Sequence, residues 1–332
     1  MIYFAAADHN AVFVVTFTLF VKMGNTMPPA ICCIGHITVD TVITPQTFVT
    51  MPGGTAFYFS MALTHMPVRC LLVTAMAASE APVADRLRKK GIAVQVLPSP
   101  SSVHFENRYG DNPDQRSQRV LQVAAPFNAA DFSGVEADIY HVGPLLAGDF
   151  SVDDFRILSA KGKLSLDVQG FLRRVVDQRV VAADWKEKQD VLPFVHFLKA
   201  SEEEMEVMTG TGDLERGAKT LAAWGAKEVI ITLGSRGSVV YDGDRFYIIP
   251  AYKPSQLLDA TGCGDTYMAG YLFQRSLGAG IQEAGEFAAA MATLKIGISG
   301  PFAGTLEDVQ AVIAGNEVLP NEPREMIAGN RL

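Results

Sequence analysis

The amino-acid sequence predicts an α/β fold, with a doubly wound, mostly parallel sheet flanked by helices and a small β-sheet lid. Two observations carry this prediction. Short apolar runs of strand length alternate with helical segments along most of the chain, which is the pattern of a parallel sheet with helices on its faces. Two other segments are rich in β-branched residues or alternate polar and apolar residues, which favours antiparallel strands with one exposed face.

The elements of the parallel sheet follow each other in order. The first is the segment 30–35 (AICCIG), a short apolar run that ends in glycine. Further buried strands are predicted at 70–75, 139–142, 164–167, 197–200 and 228–233, and helices at 55–65, 83–90, 265–277 and 282–296. Asp242-Gly243-Asp244 separates apolar runs at 239–241 and 246–249, which predicts a β-hairpin.

The lid is expected to be built from the segments 37–51 and 101–127, the second of which has a turn at 111–114. A single domain is therefore expected over residues 28–320, followed by a tail from 321 to 332. Residues 1–27 are interpreted as an N-terminal extension outside the fold. Their apolar run, Ala11 to Val21, is 11 residues long. A membrane span requires about 20 residues, so no membrane association is expected, and a membrane-proximal anchor is the alternative.

The composition excludes several classes of protein. The 332 residues include 28 Lys and Arg against 36 Asp and Glu, a net charge of −8, which argues against a general nucleic-acid binder. The four cysteines show no C-x-x-C spacing, which is typical of a protein of the reducing cytoplasm without a structural zinc site. Neither a P-loop motif nor a G-x-G-x-x-G after the first strand is found, which argues against P-loop kinases and dinucleotide-dependent oxidoreductases.

The segment 259–265 (DATGCGD), followed directly by a predicted helix, is the strongest indication of chemistry. The start of a helix carries unpaired N–H groups and roughly half a positive charge. Glycine at 262 and 264 lets an anion approach this backbone closely. A carboxylate at Asp265 suits a base that takes the proton of a hydroxyl as the hydroxyl attacks a bound phosphoryl group. The alternative is that Asp265 only caps the helix.

This segment resembles the second signature, D-T-x-G-A-G-D, of the ribokinase-like family of sugar and nucleoside kinases, also called the pfkB family. The resemblance extends over most of the chain, from about residue 30 to residue 300. It implies that ATP and Mg²⁺ are the cofactors and that Asp265 is the catalytic base. It also implies that the amides of Gly262, Cys263 and Gly264 form an anion hole, although Cys263 replaces the family's alanine.

The segment 35–40 (GHITVD) resembles the family's opening strand, whose terminal acid, here Asp40, binds substrate hydroxyls. A carboxylate suits this role because it accepts hydrogen bonds from two neighbouring hydroxyls. Gly53 and Gly54 resemble the family's G-G-x-x-x-N element, where the backbone approaches the substrate. Tyr58 replaces the asparagine of that element, so it is expected either to face the substrate or to belong to the core.

Three further segments resemble family motifs. Residues 199–204 (KASEEE) resemble N-x-x-E with Ser201 in place of Asn, which implies that Glu204 organises Mg²⁺ through water unless it only stabilises the helix start. Residues 166–173 (LDVQGFLR) resemble a segment of inositol and nucleoside kinases. There Asp167 and Arg173 would contact the substrate, unless Arg173 is a surface residue. Residues 232–237 (TLGSRG) resemble the ATP-side loop. Together with the segment 259–265, this resemblance implies that four residues contact the nucleotide: Thr232, Gly234, Gly237 and Thr261.

The sequence therefore predicts ATP-dependent phosphorylation of a hydroxyl on a small sugar or polyol. One alternative is a nucleoside kinase of the same fold, in which Tyr58 lines a slot for the base. Another is a non-catalytic binding or regulatory protein, because the family's asparagine is missing at positions 58 and 201. The expected ligand is a small sugar, cyclitol or nucleoside. Lid strands often pair between subunits in this family, so the resemblance also allows a homodimer through the lid.

Overall fold

The computed structural model describes residues 30–45, 47–109 and 116–319. The predicted extension at 1–27, the turn at 111–114 and the tail at 321–332 lie outside these residues. Within them a nine-stranded sheet forms the base of the molecule. Its strands are β1 (Ile31–Ile34), β4 (Cys70–Met76), β5 (Ala93–Pro98), β8 (Ile139–Val142), β9 (Lys163–Asp167), β12 (Phe197–Ser201), β13 (Glu228–Thr232), β14 (Ser238–Tyr241) and β15 (Phe246–Ile249).

The base sheet has the spatial order β15-β14-β13-β12-β9-β8-β1-β4-β5. Seven neighbouring strands, from β13 to β5, run parallel, and the predicted hairpin β14–β15 adds two antiparallel strands at one edge. The chain leaves β1 in one direction and returns to its other side with β8, which is the doubly wound arrangement. Ligands bind such sheets at the carboxyl ends of the strands next to this reversal.

Both faces of the base sheet are buried, as the apolar composition of its strands predicts. In β1, Ile31 and Cys33 belong to one apolar cluster and Cys32 and Ile34 to the other, and all four side chains are fully buried. Adjacent cysteines therefore point to opposite faces of the sheet, as the two-residue period of a strand requires.

Helices cover the two faces. On one face lie α1 (Thr55–Ala62), α2 (Ala81–Lys89), α7 (Cys263–Ser276), α8 (Ile281–Ile296) and α9 (Leu306–Gly315). On the other face lie α3 (Val152–Ser159), α4 (Lys188–Val191), α5 (Glu202–Thr209) and α6 (Leu214–Ala223). No helix of the described residues is long and apolar enough to cross a membrane.

A second sheet of six strands forms the lid, in the order β10-β11-β7-β6-β2-β3. Its strands are β2 (Thr38–Ile43), β3 (Phe48–Gly53), β6 (Val103–Tyr109), β7 (Arg116–Gln122), β10 (Arg173–Val176) and β11 (Arg179–Ala182). β2, β6 and β7 lie within the two predicted lid segments, and β3 begins in the first segment and ends two residues beyond it.

The pair β10–β11 was not predicted. Its two-residue turn, Asp177-Gln178, has φ of +48° and +64°. Hairpin turns of this shape usually contain Asn-Gly or Asp-Gly, because glycine adopts positive φ without strain. A glutamine at the second position removes the usual sequence signal.

Candidate active site

The amino-terminal end of α7 lies at the centre of the candidate site. Gly262 precedes the helix with φ of +78°, a conformation that favours glycine. A β-carbon at Gly262 would lie 2.4 Å from Cδ1 of Tyr58, so only glycine lets the turn approach that ring. Of the three amides predicted to form an anion hole, the N–H of Cys263 instead donates to the carbonyl oxygen of Ala260 at 3.1 Å. That bond closes the turn before the helix.

The turn is held by the first acid of the motif. Asp259 Oδ1 accepts a hydrogen bond from the N–H of Thr261 at 2.9 Å. The buried Lys295 of α8 donates to the carbonyl oxygen of Asp259 at 2.8 Å and lies 3.6 Å from its carboxylate. Burial would raise the pKa of Asp259, but the Thr261 hydrogen bonds and Lys295 keep it below its ordinary value. Asp259 is therefore an anchoring carboxylate of the turn.

The Cys263 side chain is a neutral thiol in this turn. Its Sγ lies 3.9 Å from the carbonyl oxygens of Asp259 and Ala292. Burial raises the pKa of the thiol to about 11. Because only the thiolate is a strong nucleophile, Cys263 serves as a small packing residue where the family has alanine.

Asp265 is the third residue of α7 and is half-buried. Its carboxylate accepts a hydrogen bond from the hydroxyl of Thr55, the first residue of α1. Burial, together with the negative charge of Asp167, raises the pKa of Asp265 to about 7 against the opposing effects of Lys199, Thr55 and Arg173. A carboxylate with a pKa near neutrality is suited to exchange a proton with a substrate hydroxyl.

Lys199 lies beside this carboxylate and was not predicted as a site residue. It is 5% exposed, with Nζ 2.9 Å from Asp167 Oδ2 and 3.7 Å from Glu204 Oε2. A β-carbon on Gly264 would lie 3.4 Å from the same Nζ, so the ammonium group lies against the start of α7. Burial would lower the pKa of Lys199, but Asp167 and Glu204 raise it above its ordinary range.

Asp167 ends β9 and is almost fully buried. Burial would raise its pKa, but Lys199 and the N–H of Gln169, which donates to Oδ1 at 3.0 Å, keep it below its ordinary value. Asp167 and Lys199 therefore form a buried ion pair within reach of the amino-terminal end of α7.

Glu204 forms a capping box with Ser201 at the start of α5. Its Oε2 accepts from the Ser201 N–H at 2.7 Å, and its own N–H donates to Ser201 Oγ at 3.2 Å. Burial raises the pKa of Glu204, and Lys199 opposes this effect. Helix stabilisation, the alternative considered from the sequence, is thus one role of Glu204, whose carboxylate also contacts the charged group of Lys199.

The residues predicted to bind the acceptor substrate lie partly on strands of the lid and partly at the start of α1. Asp40 is half-buried on β2, and a β-carbon on Gly53 would lie 2.2 Å from its Oδ2, so glycine is needed where β3 passes this carboxylate. Gly54, with φ of +86°, links β3 to α1.

Tyr58 is only 4% exposed, and its ring packs against Gly262 in the turn that precedes α7. Arg173, at the start of β10, brings a positive charge from the lid toward Asp265.

A cleft of about 280 Å³ adjoins the other side of the helix start. Cys263 and Gly264 line it next to the turn, and three of the four residues predicted to contact the nucleotide, Thr232, Gly234 and Gly237, line it farther on. The fourth, Thr261, is exposed and is not among the lining residues described. The other lining residues are small or apolar: Ala251, Tyr252, Leu257, Ala289, Ala292, Ile296 and others.

The helix start thus separates two spaces, the cleft on one side and the lid with Asp40 on the other. Three residues that support it were not recognised from the sequence: Lys199, Thr55 and Lys295. The signals available were weak. Lys199 is a lysine within a buried strand, and Lys295 follows an otherwise apolar helical stretch, positions where a charge needs a partner.

Comparison with known proteins identifies the family. A profile of the pfkB family of carbohydrate kinases matches residues 163–307. A cytidine kinase of Thermococcus kodakarensis is 28% identical over 262 residues, which is 75% of this chain and 90% of that protein. The chain belongs to the pfkB family, whose members are phosphotransferases that act on hydroxyl groups of sugars and nucleosides.

Two solved structures resemble the whole domain. One is a pyrophosphate-dependent kinase of the ribokinase family in complex with a pyrophosphate analogue and myo-inositol. It is 30% identical, with a TM-score of 0.77 over 85% of this chain and 100% of its own. The other is a pyrophosphate-dependent myo-inositol-1 kinase that a double substitution converts into a myo-inositol-3 kinase. It is 28% identical, with a TM-score of 0.77 over 86% of this chain and 99% of its own.

Proposed function

We propose that this chain transfers the γ-phosphoryl group of ATP to a hydroxyl of a small sugar or polyol, with Asp265 as the base. The observation that carries the proposal is the position of Asp265. Its carboxylate, with a pKa of about 7, lies at the start of a helix that separates the cleft from the lid. A donor phosphate and an acceptor hydroxyl would meet at this point.

In the proposed reaction the Asp265 carboxylate takes the proton of the acceptor hydroxyl. The hydroxyl oxygen forms a bond to the γ-phosphorus, and the bond from that phosphorus to the β-phosphate oxygen breaks, which releases ADP. The amides of Gly262 and Gly264 and the positive end of α7 stabilise the negative charge on the transferred group. Lys199 adds a fixed positive charge beside Gly264.

The carboxylate of Glu204, which is half-buried, fits a hydrated Mg²⁺, because this ion prefers oxygen ligands and retains several waters. Among the described residues no group of three His, Cys, Asp or Glu side chains forms a closed metal cage. Glu204 would hold the ion through water. When bound, Mg²⁺ would supply positive charge to the donor phosphates.

We propose ATP rather than pyrophosphate as the donor, although the two structural relatives described above are pyrophosphate-dependent. The lining residues described for the cleft include no lysine or arginine. Pyrophosphate would need several such partners, because it is small and highly charged. The apolar lining of Tyr252, Leu257 and Ile296 instead suits the flat face of a nucleotide base.

For the acceptor, the myo-inositol complex of a 30% identical relative supports a cyclitol or sugar. We propose that it binds between Asp40 and Asp265. A nucleoside kinase is the second candidate, and the similarity to the cytidine kinase of Thermococcus kodakarensis favours it. Tyr58, which the sequence suggested as one wall of a base slot, is buried beneath the turn. A nucleobase would therefore need to pack against a different side chain.

The test is a panel of acceptors with Mg²⁺ and either ATP or pyrophosphate, measured by release of ADP or phosphate. The panel includes pentoses, hexoses, cyclitols and nucleosides. We expect turnover with ATP and at least one sugar or cyclitol. We expect the Asp265→Asn variant to lose about 10²- to 10⁴-fold in kcat with little change in ATP binding, because Asn keeps the shape but not the base.

The outcomes separate the candidates. Turnover with nucleosides alone would favour the second candidate, and turnover with pyrophosphate alone would contradict the donor assignment. Near-normal turnover by Asp265→Asn would remove Asp265 from the mechanism. ATP binding without turnover of any acceptor would contradict the proposed reaction.

A further inference from the structure

Lys295 is a buried lysine to which the proposed reaction assigns no role. It lies near the end of α8, and its side chain is fully buried. Taking an ammonium group out of water is costly, so a buried lysine requires oxygen atoms around its charge. The atoms around Lys295 Nζ therefore indicate what this side chain does in the fold.

Three oxygen atoms converge on Lys295 Nζ. The carbonyl oxygen of Asp259 accepts a hydrogen bond at 2.8 Å, the carbonyl oxygen of Ile298 lies at 3.4 Å, and the Asp259 carboxylate lies at 3.6 Å. We call these three atoms the oxygen cage. Because the cage supplies one carboxylate and two neutral carbonyl groups, a singly charged cation balances it.

The oxygen cage joins the turn before α7 to the segment that follows α8. The N–H groups of Leu258 and Asp259 donate to the carbonyl oxygen of Ile296, at 2.9 and 3.3 Å. The N–H of Gly300 donates to Asp259 Oδ2 at 3.4 Å. Lys295 completes this network from the inside, because its Nζ contacts oxygens of both segments.

The position of Asp259 affects the proposed anion hole. Asp259 begins the turn and holds the N–H of Thr261 with Oδ1. The other end of the turn is fixed to the helix, where the N–H of Thr266 donates to the carbonyl oxygen of Gly262 at 2.9 Å. A shift of Asp259 would therefore displace the amides of Gly262 and Gly264 relative to a bound phosphate.

The charge of Lys295 matters at the same place. Asp259, whose pKa lies below its ordinary value despite burial, brings a negative charge to a turn that is proposed to bind phosphate groups. Like charges at short range repel each other strongly where water is largely excluded. The ammonium group of Lys295 offsets the charge of Asp259 and so favours an anion at the turn.

We propose that the Lys295 ammonium group serves as a built-in monovalent cation that positions the turn before α7 for phosphoryl transfer. This inference rests on the proposed kinase reaction. Because the ammonium group is attached to α8, the oxygen cage is filled at any salt concentration of the solution. A chain without this side chain would keep the same oxygens, and a free ammonium ion could then bind among them.

The test compares Lys295→Ala with Lys295→Met. Both substitutions remove the charge, but alanine leaves space in the oxygen cage and methionine fills most of it. The full-length parent and variants are assayed with ATP and the preferred acceptor in ammonium chloride. They are also assayed at the same ionic strength in tetramethylammonium chloride, whose cation is too large for the space of one ammonium group. Melting temperatures are measured in both salts.

Lys161→Ala is the matched control. Lys161 Nζ donates to the carbonyl oxygens of Phe132 and Val135 at 2.8 and 2.7 Å, and it lies 3.2 Å from Glu136. These oxygens precede β8, at the edge of the base sheet opposite the start of α7. We expect Lys161→Ala to lower the melting temperature in both salts and to leave kcat unchanged.

For Lys295→Ala in tetramethylammonium chloride we expect kcat to fall about 10- to 100-fold, because the amides of the turn are displaced. Ammonium chloride should recover most of this loss. It should also raise the melting temperature of Lys295→Ala, since a ligand that binds only the folded chain stabilises it. The parent and Lys295→Met should show neither response.

Failure of ammonium to recover the kcat of Lys295→Ala, or an alanine variant that is unfolded in both salts, would assign Lys295 a purely structural role and overturn the inference. Equal recovery in Lys295→Met would also overturn it, because that result reflects a general effect of the salt. So would a parent that requires ammonium for activity. An inactive parent would overturn the proposed function, and the melting temperatures of Lys295→Ala would still show whether the oxygen cage binds a cation.

Discussion

Lys199 shows how one buried residue sets the charges of the site. It is the cation of the ion pair with Asp167, it contacts Glu204, and it opposes the rise in the pKa of Asp265. A buried charge is tolerated only when it is paired, so each of these groups depends on the others. The pKa of Asp265 is therefore set by the whole cluster.

We expect Lys199→Met to move the acidic limb of the kcat/KM profile to higher pH. The parent should gain activity as the pH rises through about 7, where Asp265 loses its proton. Without the Lys199 charge the pKa of Asp265 rises, so the same gain requires a higher pH. The variant should also lose about 3 kcal/mol of unfolding free energy, since Asp167 is left buried without its partner.

The measurements are pH–rate profiles and urea unfolding, with Lys199→Arg as the control that keeps the positive charge. The arginine variant should keep its acidic limb closer to that of the parent. Coincident limbs for the parent and Lys199→Met would show that Lys199 does not act on Asp265.

The residues of the candidate site differ in how far the sequence alone predicts them. Asp265, Gly262 and Gly264 could be singled out as candidates because their motif is local, a glycine turn followed by a helix, and the structure has that helix. Lys199 and Thr55 were missed because they reach Asp265 from different strands and helices, and only the folded chain brings them together. Cys263 illustrates a third case, since its amide was assigned to an anion and instead closes the turn.

At the scale of elements, the start of α7 combines two constraints on Gly262. Its φ of +78° is unfavourable for other residues, and its α-carbon lies against Tyr58. The opposite end of the same helix provides a comparison. Gly278 has φ of +86° but no heavy atom within 4 Å of a β-carbon built there. The two glycines share conformational strain and differ in packing.

We therefore expect Gly262→Ala to reduce kcat at least 10-fold, since the added methyl displaces the turn that carries the amides and Asp265. Its loss of unfolding free energy should be about 2 to 4 kcal/mol, from strain and overpacking together. Gly278→Ala should cost about 1 kcal/mol and leave kcat unchanged. Steady-state kinetics and thermal unfolding measure both. Equal effects of the two substitutions would show that contact with Tyr58 is unimportant.

For the whole molecule, most strands of the base were predicted, because both faces of the sheet are covered, but β5 and the helices α3, α5 and α9 were missed. Its parallel strands read as continuous apolar runs, and the long helices α7 and α8 were found within two residues of their ends. The lid was predicted only in part, because β10 and β11 have four residues each and their turn lacks glycine. Short exposed strands depend on their partners in the sheet for stability, and a sequence read locally does not show those partners.

The raised pKa of Asp265 also has a thermodynamic consequence for the entire chain. Between about pH 4, where an unfolded Asp loses its proton, and pH 7, the folded chain binds a proton that the unfolded chain has released. The free energy of unfolding must then decline as the pH increases through this interval. The full shift corresponds to about 4 kcal/mol, and we expect roughly half of it because the carboxylate is partly exposed.

Asp265→Asn should accordingly resist urea better than the parent at pH 8, by about 2 kcal/mol, and lose this advantage near pH 4. Tryptophan fluorescence of Trp185 and Trp224 can follow both unfolding curves. Identical curves at pH 8 would show that ionisation of Asp265 does not lower the free energy of unfolding. The same burial that brings the pKa of Asp265 close to neutrality thus lowers the free energy of unfolding above that pH.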